Sequence, residues 1–214
     1  MIMSVRKMFL GLALTAMSLS AVAGPPLEGA EYRFIDPPQH PSTPGKIEVL
    51  EFFSYGCPHC YEFYPMVSAW AAKLPKDVVL KRVATGLGRM PWTNLARMYY
   101  ALESTGDLAR LDAQIFHAIH EEHAPLFDEA AISDWVEKHG VDVAKFKTAF
   151  ESFGVNAKVN QAEGMVEAYK VEGVPSLTID GKYLVLGDNF AQVLTNADAV
   201  LAMDRQQRAA ASHK

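Results

Sequence analysis

Ile47-Glu48-Val49-Leu50-Glu51-Phe52-Phe53-Ser54-Tyr55-Gly56-Cys57-Pro58-His59-Cys60-Tyr61 decides the fold class. Its first seven residues are aliphatic, aromatic or β-branched apart from two acids, the pattern of a short buried central strand. Ser54-Tyr55-Gly56 ends that run. From Cys57 onward Tyr61, Tyr64, Val67, Trp70 and Leu74 recur at three- and four-residue spacing, which predicts an amphipathic helix with Pro65 as a kink point. Two cysteines therefore open a helix that follows a strand. Asp77 to Ala84 reads as a second buried strand, so the three segments form a strand-helix-strand unit with parallel neighbours.

Upstream, Gly24 to Gly45 is rich in proline and reads as an extended lead-in with one short strand at Tyr32 to Ile35. Downstream, Met90 to Lys158 is helical in pattern throughout. Its apolar stripes are Leu95, Met98, Tyr99 and Leu102; Leu108, Leu111, Ile115 and Ile119; Ile132, Trp135 and Val136; and Val143, Phe146 and Phe150. The α/β pattern then resumes with a helix over Val159 to Lys170, a strand pair from Ser176 to Leu186 turning at Asp180-Gly181, and a last helix from Phe190. The expected architecture is an α/β domain made of residues 24–88 and 159–214, with an all-helical insertion at 89–158.

Residues 1–23 have the layout of a cleavable export signal: Arg6 and Lys7, an apolar stretch from Met8, and Ala21-Val22-Ala23 as the cleavage site. The alternative is a retained anchor, but Met8 to Ala23 is only 16 residues, and a spanning helix needs about 20. No cysteine follows the cleavage site to carry a lipid. Cleavage removes two of the 20 basic residues and none of the 25 acidic ones, leaving 18 against 25 and a formal charge of −7. That charge argues against nucleic acid as a partner. The remaining 191 residues, 214 less 23, suffice for one well-buried core.

Exported proteins use cysteines mainly as staples, yet this chain has two, three positions apart. Closing a four-residue loop is worth about 2 kcal/mol, against roughly 4.7 for a 100-residue loop. Stability is thus a weak reason for the pair, and reversible oxidation across one helical turn is the better one. At the helix start Cys57 faces unpaired N–H groups and the positive end of the dipole, and a protonated His59 adds charge; all favour a Cys57 thiolate. A thiolate stabilised in the reduced protein makes the pair an oxidant, by about 30 mV per pKa unit. Cys60, further into the helix, is the expected resolving thiol. The rival reading is half of a zinc site, which needs two more ligands, and no second C-x-x-C exists. His117, His120 and His123, at spacings of three on one helical face, are either further ligands or a solvated face.

Glu51 to Tyr61, with Cys57-Pro58-His59-Cys60 at its centre, resembles the active-site segment of the DsbA family of periplasmic disulfide oxidants. The helical insertion and Gly173-Val174-Pro175 agree with that resemblance, which spans essentially the whole chain after the leader. The Pro58-His59 dipeptide is its most specific part. The resemblance implies a thioredoxin-like fold, no organic cofactor and no metal, a redox-active Cys57–Cys60 disulfide, and a monomer in the periplasm. It also implies that exported unfolded proteins with cysteine pairs are the substrates, and that a quinone-linked membrane oxidant like DsbB restores the disulfide. It further implies that Pro175 is cis and closes over the sulfurs while the Val174 backbone pairs with an extended substrate; from sequence alone, a trans proline opening an edge strand is the alternative. Glu51, an acid in an apolar strand, has a family counterpart beneath the disulfide that manages protons, with Lys81 as its basic partner. The alternatives are an ordinary strand end for Glu51 and an exposed lysine for Lys81.

Two other functions compete. An isomerase or reductase would need its cysteines reduced and would bring a dimerisation module or a different dipeptide. A holdase-like protein with a structural disulfide would bind unfolded chains equally well without Cys57.

Overall fold

The computed structural model describes residues 24–212; the expected leader at residues 1–23 lies outside them. In chain order the elements are β1 (Tyr32–Phe34), β2 (Ile47–Phe53), α1 (Pro58–Ala71), β3 (Val78–Ala84), α2 (Met90–Thr105), α3 (Leu108–His120), α4 (Glu129–Lys138), α5 (Val143–Phe150), α6 (Phe153–Ala168), β4 (Ser176–Ile179), β5 (Tyr183–Val185) and α7 (Phe190–Ser212). The strands form one sheet in the order β1-β5-β4-β2-β3. Among the described residues no helix is long and apolar enough to cross a membrane.

β2 is buried along its whole length, as its apolar run requires of a strand covered on both faces. It pairs in parallel with β3, from Ile47 opposite Val78 to Phe53 opposite Ala84. On its other edge it runs antiparallel to β4, with Phe52 opposite Ser176. The carboxyl end of β2 and the start of β4 therefore lie side by side, and this register brings residues 54–57 and 173–175 to the same edge of the sheet. The β4–β5 hairpin turns through Asp180, Gly181 and Lys182, the first two at positive φ, with the Lys182 N–H donating to the Ile179 carbonyl at 3.0 Å. A Cβ on Gly181 would meet the Gln39 carbonyl.

Two apolar clusters flank the sheet. One joins Ile47 and Val49 to Phe63 and Val67 of α1 and to Val200 and Leu201 of α7. The other joins Phe52 and Phe53 to the helical block through Leu95, Met98, Leu111 and Phe116. Burying a side chain such as Phe53 is worth about 1.5–3 kcal/mol, so the block is held to the sheet by packing.

Two expectations change here. The helix expected from Val159 begins at Phe153, capped by Ser152, whose hydroxyl accepts the Val155 N–H at 3.1 Å. It crosses residue 158 unbroken. His123 lies beyond the end of α3 at positive φ, so the three histidines do not share a helical face: the chain leaves the helix after His120.

Candidate active site

Cys57 is the N-cap of α1 in extended conformation, and Pro58 takes the first helical position, where its missing N–H is not needed. The Cys57 carbonyl accepts the Cys60 and Tyr61 N–H groups, both at 3.1 Å. Gly56 is required by its neighbour: a Cβ there would strike the Trp92 indole. Both cysteines are free thiols, and both are buried.

The two sulfurs have opposite tendencies. Cys57 is pulled down to about 6, first by the Cys60 thiol donating to it, against the pull of burial, then by the N–H groups of Cys60 and His59 and least by the His59 charge. Cys60 is pushed strongly up by burial, with the Cys57 and Glu51 charges adding to it. His59 itself is exposed, 3.7 Å from Glu62 and edge-on to Phe190. The helix end and Cys60 therefore act on Cys57 more than the His59 side chain does. Thiolate absorbance followed through acid titration should show a midpoint near 6, and His59→Ser should raise it only slightly. A midpoint near the ordinary value of about 8.5 would refute this account of Cys57.

The Val174-Pro175 bond is cis, and the Val174 carbonyl lies 3.3 Å from Cys57 Sγ. Behind it the loop is tied down: Ser176 donates to the Gly173 carbonyl at 2.7 Å, and Arg33 of β1 binds the Glu172 carboxylate at 2.9 Å. A cavity of about 370 Å³ lined by Arg33, Val174, Pro175 and Leu186 opens beside the loop.

Glu51 lies fully buried, near enough to Cys60 for its charge to oppose the Cys60 thiolate. Its partner is Arg82, whose Nε donates to Oε2 at 2.8 Å. Lys81 instead binds Glu48 at 3.0 Å and Ser42 at 2.8 Å. The reason is register: Arg82 stands opposite Glu51 and Lys81 opposite Leu50, and alternation sends the two side chains to opposite faces. Arg82 also donates from Nη1 to Asp112 of α3 at 2.6 Å, and Tyr55 donates to the other Asp112 oxygen at 2.5 Å. The guanidinium lies 3.8 Å over the Phe53 ring. Burial outweighs Arg82 and raises Glu51 above the usual carboxylate range, and Asp112 adds to the rise.

Arg82, Asp112 and Tyr55 are absent from the set of residues singled out by sequence. The signal for Asp112 is present: it lies four residues after Leu108 and four before Phe116, an acid on the apolar stripe of α3. Among the described residues no group of three or more metal-ligating side chains is assembled; His120 contacts the Tyr55 carbonyl at 2.7 Å and His117 the Glu122 carboxylate at 3.1 Å.

The site can be compared with known proteins. A family model described as a DSBA-like thioredoxin domain matches residues 84–198. The thiol:disulfide interchange protein DsbA of Bordetella parapertussis is 40% identical over 200 residues, covering 91% of this chain and 94% of that protein, an extent that cannot omit residues 57–60. The protein of the same name from Pseudomonas aeruginosa is 38% identical over 179 residues, covering 80% and 84%. Among solved structures, P. aeruginosa DsbA superposes with a TM-score of 0.79 at 36% identity, over 87% of this chain and 96% of that one. The oxidoreductase DsbA of Xylella fastidiosa gives 0.80 at 30% identity, over 86% and 100%.

Proposed function

The chain belongs to the DsbA family of thiol:disulfide oxidoreductases, and on that premise we propose that it donates a Cys57–Cys60 disulfide to cysteine pairs of exported, still unfolded proteins in the periplasm. The observation that carries this reading is the asymmetry of the pair: Cys57 is held down to about 6 while Cys60 is pushed up. A substrate thiolate attacks Cys57 Sγ, the Cys57–Cys60 bond breaks, and its electron pair leaves on Cys60, which takes a proton. The second substrate thiolate then attacks the substrate sulfur of the mixed disulfide and expels Cys57 as a stable thiolate. The substrate loses two electrons and the enzyme gains them.

In this reading Glu51, buried and raised, carries the proton that Cys60 takes. The Val174 backbone and Pro175 receive the extended substrate. Pro58 and His59 shape the loop between the sulfurs. The protein works as a monomer without metal or organic cofactor, and a quinone-linked membrane protein like DsbB restores the disulfide. Residues 24–88 and 159–214 form the thioredoxin-like part and 89–158 the insertion, with α6 shared between them.

Equilibration with glutathione buffers tests the direction of transfer. An oxidant stays half reduced even where glutathione disulfide predominates; a protein oxidised already in mostly reduced glutathione would be a reductase. Binding of unfolded chains without their oxidation would favour a holdase.

A further inference from the structure

Beneath the sulfurs, one cation serves two acids from different parts of the chain. Arg82 of β3 donates Nε to Glu51 and Nη1 to Asp112, and Glu51 is fully buried while the Asp112 side chain is 15% exposed. Glu51 keeps one oxygen, Oε1, without a hydrogen-bond partner among the described residues. The groups facing Glu51 are Arg82 from β3, Asp112 from α3, Cys60 and Tyr64 from α1 and Tyr99 from α2, with Tyr55 bonded to Asp112; β4 presents only Leu177 opposite it. Arg82 is the one cation among them.

We propose that Asp112 is a positioning residue for the proton step: by drawing Arg82 partly away from Glu51 and adding its own negative charge, it keeps the proton on Glu51 until Cys60 leaves as a thiolate. The inference rests on the reading of Glu51 as the donor to Cys60. The step balances: the Cys57–Cys60 bond breaks, Cys57 bonds to the substrate sulfur, the Glu51 carboxyl proton passes to the Cys60 sulfur, and Glu51 is left ionised beside Arg82. The helical block then acts on the chemistry through Asp112, without touching substrate. Without the Asp112 charge, Arg82 serves Glu51 alone, and Glu51 holds its proton less tightly.

The test is the rate at which the oxidised protein forms a mixed disulfide with a model thiol peptide, for wild type and Asp112→Asn across pH. In the ratio of the two rates the thiolate fraction of the peptide cancels. Asp112→Asn should match or exceed wild type near pH 5 and be about threefold slower near pH 8 for each unit of proton affinity Glu51 loses, since a smaller protonated fraction is partly offset by a stronger acid. KM should be unchanged, Asp112→Glu should restore most of the profile, and Asp112→Asn should be silent in a Glu51→Gln background. A ratio that does not vary with pH, with only stability lost, overturns the proposal. If Glu51→Gln itself leaves the profile unchanged, the reading of Glu51 as donor fails instead. Carbon NMR of the wild-type Glu51 carboxyl needs no variant: its curve should depart from a single step, and an independent single-step curve would refute the coupling.

Discussion

Replacing Arg82 with Met should cost about 3–5 kcal/mol of folding free energy near neutral pH, the usual result of stripping one partner from a buried ionic cluster. The reason is specific: Arg82 is bonded to both Glu51 and Asp112, and among the described residues Glu51 pairs with no other cation. Without it, burial raises Glu51 further above its unfolded value. A group whose folded pKa is raised contributes stability that is present below the unfolded pKa, about 4.3 for Glu, and lost as pH rises through the folded pKa. Denaturant melts should therefore show the variant nearer to wild type at about pH 4.5 than at about pH 8. Adding Glu51→Gln should recover part of the loss at the higher pH. An equal loss at both pH values would mean that Arg82 matters through its packing over Phe53 and not through its charge.

The second large effect is redox-linked. Cys57 falls to about 6 in the folded protein, whereas an unfolded thiol titrates near about 8.5. For a depressed acid the stabilisation is fully present above the unfolded pKa and lost as pH falls through the folded one. The reduced form thus gains across the window from about pH 6 to about 8.5, and the oxidised form, having no thiol, does not. The full difference would be about 1.4 kcal/mol per unit; discounting for solvent around the Cys57 sulfur leaves about 2 kcal/mol. Unfolding of both forms at about pH 5 and about pH 8.5 should show the balance swinging toward the reduced protein by that amount. A pH-independent difference would make the disulfide an ordinary staple.

How much of this was legible before the structure depends on whether the determinant is local. β2, α1 and the β4–β5 turn carry their own signals: an apolar run, a three-four stripe, and Asp180-Gly181. The beginning of α6 does not, because Phe153 is exposed and Gly154 and Asn156 interrupt the stripe, although Ser152 is a good cap. Choosing Lys81 over Arg82 as the partner of Glu51 required the β2–β3 register, which no single strand encodes. Asp112 reaches the site only because α3 packs on α1, a tertiary fact that leaves just one acid on an apolar stripe as its trace in the sequence.

The strand order carries a consequence for synthesis. β2 sits between β3, which follows it closely, and β4, which follows only after five further helices beyond β3. A chain that emerges amino end first exposes Cys57, α1 and β3 before residues 173–179 have emerged. At that stage one edge of β2 is open, and the Val174 carbonyl that faces Cys57 does not yet exist as a neighbour. Such long-range pairing forms late. The cysteine pair thus meets solvent before its substrate-receiving wall is built, and ordered exchange begins only when the last fifth of the chain has arrived.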